Sequence, residues 1–319
     1  MTTGAPTATD SNDSARPGEP TYERPEIPAG YEGVLLTVAY DGSAFHGWAP
    51  QRNALSVAEV LLKAVQRIRV GVVALRGASR TDTGVHSRGQ RVSFDAAPGV
   101  TTRGWVLGLT TFLPPTVSVR SASRVEAGFD PRYHGRGKRY IYTLLADRLR
   151  DPLLEPKAWR VTSRIDPERM REAARTLLGT HDFKAFRAAA DARTDTIRTL
   201  NRVDVQVDPV DPRIIRVVVD GDRFLYHMVR IITGTLVDIG AGRRPVSSFA
   251  DAFATNSRER LGQTAPALGL LLDEVRLDDE GTDPWPPVAS SSASSSPPIS
   301  VPGITTSDVA SPVVSDDDD

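Results

Sequence analysis

Asp82, within Ser79-Arg80-Thr81-Asp82-Thr83-Gly84-Val85-His86, is the carboxylate whose surroundings most suggest chemistry. A carboxylate can attack an electrophilic carbon, or share a proton with a second carboxylate and activate water. The triplet Asp82-Thr83-Gly84 also spells the signature of aspartic proteases, but it occurs once in the chain. A protease would therefore need a symmetric dimer, and Arg80 stands where such sites usually have apolar flanks. The plainest alternative makes the triplet a turn in a binding module with no chemistry.

Other chemistries are narrowed by what the chain lacks. It has no cysteine, which removes thiol nucleophiles, disulfides and cysteine-bound zinc and is compatible with a reducing compartment. His46, His86, His181 and His227 are scattered without metal-ligand spacing, so no metal site is expected. No glycine-rich phosphate loop occurs. No apolar run approaches the roughly 20 residues needed to cross a bilayer, and the N-terminus lacks the order of a secretory signal. The expectation is a cytoplasmic protein.

The elements that must hold Asp82 can be read from periodicity and punctuation. Val34 to Tyr40 is a β-rich run that stops at the turn signal Asp41-Gly42. Ser56 and Glu59 form a capping box ahead of Val57, Val60, Leu61, Ala64, Val65 and Ile68, which share one helical face. Short strands are expected at about 72 to 76, 90 to 94, 117 to 125 and 140 to 145. In the last of these, alternation puts Tyr140, Tyr142 and Leu144 on one face. Asp166-Pro167 starts a second helix that ends near Gly179. After a strand over 214 to 220, Gly221 turns the chain towards a helix over about 227 to 239. There Met228, Ile231, Ile232, Thr235, Leu236 and Ile239 make a stripe, and Arg230 points nearly opposite it. Asp41-Gly-Ser-Ala-Phe45 and Asp220-Gly-Asp-Arg-Phe224 are alike, which hints at two related halves, about 31 to 135 and 136 to 275. The predicted class is α+β, with antiparallel and mixed sheets flanked by helices.

Composition separates this region from its ends. Residues 1 to 30 are rich in Thr, Pro and Asp, and residues 276 to 319 run through serine repeats to four aspartates, so both ends are expected to be disordered tails. Between them, residues 31 to 275 carry 36 basic against 26 acidic residues, and 32 of the cations are arginines. A net charge of about +10 suits a polyanion, because phosphate neutralisation dominates nucleic-acid affinity. The tails hold 14 acidic residues against 3 basic ones, so they are candidates to occupy the basic cleft when RNA is absent.

Four segments occur together in a fixed order: Tyr40 to Trp48, Ser79 to Gln90, Lys138 to Tyr142, and Phe224 to Gly234. With His181 to Arg187 and Ala265 to Leu272, they make the chain resemble the TruA family of tRNA pseudouridine synthases from about residue 31 to 275. The most specific part is Arg80-Thr81-Asp82, then Gly84-Val85-His86, followed by Gly89-Gln90. The resemblance implies the pseudouridine synthase fold and isomerisation of uridines 38 to 40 in the anticodon arm of tRNA, by a homodimer and without a cofactor. It makes Asp82 the nucleophile, without deciding between attack on the base and on the sugar. Arg80 would fill the space of the extracted nucleotide or hold its phosphates. Tyr140 would stack on the uracil and take the proton lost from its carbon, and Arg230 would pair with the carboxylate. His86, expected to brace the loop, and Arg139 complete the RNA-binding candidates. Four departures from the family pattern stand out: Ser79 replaces a glycine, Ala49 and Ala58 replace glutamines, and Thr110-Thr111-Phe112 precedes Leu113-Pro114 where an asparagine is usual.

Overall fold

The computed structural model describes residues 26–287, and all but the last belong to one compact unit. Of the expected tails at 1–30 and 276–319, residues 1–25 and 288–319 lie outside the described residues, and with them the proposed hold on the cleft.

In the first half, β1 (Glu32–Tyr40), α1 (Val57–Ile68), β2 (Arg76–Gly77), β3 (His86–Ala96), α2 (Thr102–Phe112) and β4 (Val117–Val125) follow in turn. The second half begins with β5 (Gly135–Ala146), β6 (Trp159–Val161), α3 (Pro167–Ala174), β7 (Gly179–Asp182) and β8 (Ile197–Val207). It closes with β9 (Ile214–Gly221), α4 (Met228–Gly240), α5 (Ser248–Thr255) and β10 (Leu270–Leu277), after which β11 (Thr282–Trp285) adds one more strand. The strands join in one mixed sheet ordered β11-β4-β1-β3-β10-β5-β9-β8-β7, with β2 beside β3 and β6 beside β5.

This order contains one unit twice. β4-β1-β3 and β10-β5-β9 each place the earliest strand between the other two and pair it antiparallel to both. Helix precedes the last strand in each unit, α2 before β4, and α4 then α5 before β10. By this order β1 corresponds to β5, and β9 to β3. The likeness between Asp41-Gly42 and Asp220-Gly221 therefore joins strands that are not equivalent, although the halves are related.

Alternation along β1 sends Val34, Leu36, Val38 and Tyr40 into a core with α1 and α2, while Leu35 joins a second core built on α3, α4 and α5. Glu59 N donates to Ser56 Oγ at 3.2 Å, the cap read from the sequence, and Glu59 itself pairs with Lys63 at 2.7 Å. Asp166 caps α3 through Glu168 N at 2.9 Å. The strand expected at 72 to 76 shrinks to Arg76–Gly77, because Val72 is drawn into the core and Arg76 turns to donate to Asp95 at 2.6 Å and Phe129 O at 2.7 Å. Pairing also continues past residue 275, where composition placed a tail. Arg276 and Leu277 finish β10, and β11 pairs with β4 while Trp285 packs against the first core.

The two units meet along a short seam, where β3 and β10 run parallel with Leu271 opposite His86 and Leu272 opposite Ser87. Ser87 Oγ donates to Leu272 O at 3.2 Å across it. The loop carrying Asp82 enters β3 at this seam.

Candidate active site

The loop from Ala78 to Val85 is held from three directions. Gln90 accepts from Ser79 N at 3.2 Å and donates to Ser79 O at 2.5 Å, so one amide fixes both backbone groups of the residue that leads into the motif. Tyr40 and Thr81 share a hydrogen bond at 2.8 Å, and Trp48 N donates to Thr81 O at 3.1 Å. Gly47 makes the last approach possible. Its φ is +90°, and a Cβ there would lie 2.6 Å from Thr81 O.

Asp82 projects from this loop into a cleft of about 570 Å³ lined by both halves, a volume in the range of small-ligand sites. Arg230, one turn into α4, donates from Nη1 to Asp82 Oδ2 at 3.3 Å. Its Nε donates to Ala265 O at 2.8 Å, and Ala265 N returns a bond to Arg230 O at 3.1 Å. The guanidinium is thus anchored on one side and offered to the carboxylate on the other. Its side chain is 15% exposed and that of Asp82 20%, so the pair is partly shielded from water. α4 is buried nearly all round rather than along one stripe, which excludes a solvated Arg230.

β5 supplies Lys138 and Tyr140, which line the cleft. Tyr140 meets Phe224 edge-on at 5.0 Å and 80°. Its hydroxyl shares a bond with Ser79 Oγ at 3.2 Å, and Lys138 Nζ donates to the same oxygen at 3.2 Å and to Ala78 O at 3.0 Å. Burial pushes the Tyr140 phenol up to about 12, with the charge of Asp82 acting in the same direction and the Ser79 bond against it. At neutral pH it is a phenol, not a phenolate. Tyr142, on the same strand face, is core, and its hydroxyl donates to Pro266 O at 2.7 Å.

Arg80 is exposed and lines the cleft beside Asp82. Along the lining, seven Lys or Arg residues meet four Asp residues, so the wall is positive where a phosphate chain would pass.

Two expected residues are not in the cleft. Arg139 follows Lys138 on β5 and so faces the other side of the sheet, where it donates to Asp220 at 3.2 Å and pairs with Glu274 at 3.3 Å. His86 is buried at the seam. Its Nδ1 accepts from Gly42 N at 3.0 Å and its Nε2 donates to Leu268 O at 3.0 Å, with Lys157 and Asp41 beside it. Burial, and then the charge of Lys157, lower its pKa. His86 braces the loop and does not line the site.

His227 was passed over by sequence reasoning as one of several scattered histidines, yet its Nε2 lies 3.3 Å from Asp82 Oδ2. Two nitrogen-bearing side chains thus meet one oxygen of the carboxylate, where an aspartic-protease dyad would place a second carboxylate.

A family model described as "tRNA pseudouridine synthase" matches residues 173–278. A protein named "tRNA pseudouridine synthase A" from Myxococcus xanthus is 42% identical over 246 residues, covering 77% of this chain and 92% of the relative. Its namesake from Acetivibrio thermocellus is 37% identical over 242 residues, covering 76% and 98%. Another, from a Geobacter species, is 39% identical over 244 residues, covering 76% and 97%.

Proposed function

The chain belongs to the tRNA pseudouridine synthase A family, isomerases that act on uridine in tRNA, and from that membership we propose how its cleft performs the isomerisation. Asp82 is the nucleophile, Arg230 pairs with it and aims it, Tyr140 stacks on the uracil, and Arg80 holds the nucleotide drawn out of the stack. The targets are uridines 38 to 40 of the anticodon arm, and the enzyme works in the cytoplasm as a homodimer.

The reaction moves one glycosidic bond. N1–C1′ breaks, the freed base turns, C5–C1′ forms, the proton leaves C5, and N1 gains one. No electrons are exchanged with an outside partner. What the protein must supply is therefore a nucleophile, a shielded pocket and a place for the extruded base. Because Tyr140 rests as a phenol, it can take up the C5 proton only while handing its own to Ser79 Oγ, which releases its hydroxyl proton to solvent in turn, as N1 gains one from solvent.

The observation that carries the reading is the meeting of Asp82 and Arg230, 148 residues apart in sequence, in a positively charged cleft beside Tyr140. tRNA carrying tritium at uridine C5 tests it, since isomerisation releases the label. Release is expected from the parent protein and a fall of at least about 1000-fold from Asp82→Ala. Mapping pseudouridine in the product tRNA reads the position, and modification elsewhere than 38 to 40 would overturn the anticodon-arm assignment. Intact binding with no release would make the chain an RNA-binding module.

A further inference from the structure

His227 stands immediately before α4 with φ 63° and ψ 5°, a left-handed backbone that histidine adopts infrequently. Such a conformation persists where the surroundings enforce it, and here they do. Tyr226 N donates to Asp191 at 2.8 Å, Ala188 N donates to Tyr226 O at 3.0 Å, and Arg193 Nη1 donates to Phe224 O at 3.2 Å. Asp191 is itself buried and is gripped by Arg193 at 2.6 Å. On the helical side, Ile231 N donates to His227 O at 2.9 Å. The segment is therefore clamped on both flanks of the unusual residue. The imidazole lies against the Tyr226 ring, with centroids 3.8 Å apart, and turns Nε2 to within 3.3 Å of Asp82 Oδ2, the oxygen that Arg230 also reaches.

We infer that His227 is a positioning residue for Asp82: the clamped left-handed turn brings its Nε2 to Oδ2, so that two groups hold an oxygen that Arg230 would otherwise hold alone. The inference rests on Asp82 being the nucleophile. Both contacts converge on Oδ2, so that oxygen is held by two groups while Oδ1 is left for the reacting carbon. Contacts of this kind tighten when substrate fills the site.

Three substitutions separate the side chain's donor from the backbone turn. His227→Asn and His227→Gly both suit a left-handed backbone, but neither carries a donor as far as Oδ2. His227→Gln places an amide nitrogen the same number of bonds from Cβ as Nε2. In single-turnover tritium release, the Asn and Gly variants are expected to slow by about 10- to 100-fold, while their tRNA dissociation constants stay within about twofold of the parent. The Gln variant should recover to within about threefold of the parental rate. Parental rates in Asn and Gly would overturn the inference, as would equal loss in all three variants. Parental activity in Asp82→Ala would instead remove the nucleophile assignment itself, which keeps the two failures distinguishable.

Discussion

At the scale of single residues, the site divides the work of one carboxylate among neighbours from distant parts of the chain. Tyr140 illustrates how environment sets a role. With its phenol raised to about 12 by burial, it contributes no ionisation to the rate between pH 6 and about 10. Tyr140→Phe keeps the ring but loses the hydroxyl, so under the proposed mechanism tRNA affinity should persist while the single-turnover rate falls about 100- to 10,000-fold. Ser79→Ala removes the hydroxyl shared by Tyr140 and Lys138, a net loss of about 0.5–1.5 kcal/mol. A rate unchanged in Ser79→Ala would exclude the serine from the proton path. That Asp82, Arg80, Tyr140 and Arg230 meet in one cleft was legible because motif resemblance and, for Arg230, helical phase pointed the same way. Arg139 faces away from the cleft, and the signal for that was present, since the alternation that groups Tyr140 with Tyr142 sends its immediate neighbour to the opposite face. His227 gave no signal. A left-handed residue before a helix is usually announced by glycine or asparagine, and here histidine fills the position because Asp191 and the 188–193 segment hold it there.

At the scale of elements, α4 is the part on which the site depends most. Its N-terminal end presents His227 and Arg230, and its middle lies against the 262–266 segment whose Ala265 carbonyl anchors the guanidinium. That contact is possible because residue 234 has no side chain: a Cβ there would sit 1.8 Å from Gln263 O. Thr235 Oγ1 accepts from Gly262 N at 2.8 Å beside it. Gly234→Ala should therefore push the segment away, costing about 1–3 kcal/mol in urea unfolding and slowing catalysis without touching a lining residue. Unfolding at the parental midpoint would show that the segment yields freely. Most long elements could be read from sequence, including the caps at Ser56 and Asp166, because capping chemistry is local. α2 was not, since glycines and β-branched residues mask its period. β8 and β11 were missed for a different reason: each is defined by the strand it pairs with rather than by its own pattern.

At the scale of the whole molecule, two repeated units are joined along a parallel seam only two residue pairs long in β3 and β10, and the cleft is lined by residues of both. His86 sits on it, buried and with its pKa lowered. A histidine depressed in the folded state stabilises it fully above the unfolded value of about 6.5, and that contribution is lost as pH falls below it, because the unfolded chain then binds the extra proton. The stability difference between parent and His86→Gln should accordingly be largest above pH 7 and shrink towards pH 5.5, as followed by urea midpoints. A difference independent of pH would show that His86 contributes by packing alone. The basic wall of the cleft predicts that tRNA affinity falls steeply with salt, and a flat dependence in filter binding would argue against the cleft as the phosphate track. The strand order also has a consequence in time. β10 is among the last strands in sequence, yet it lies in the middle of the sheet, between β3 and β5. Until residue 277 has been synthesised, the chain lacks the strand that joins β3 to β5, so the sheet that carries the Asp82 loop and the second half together cannot close.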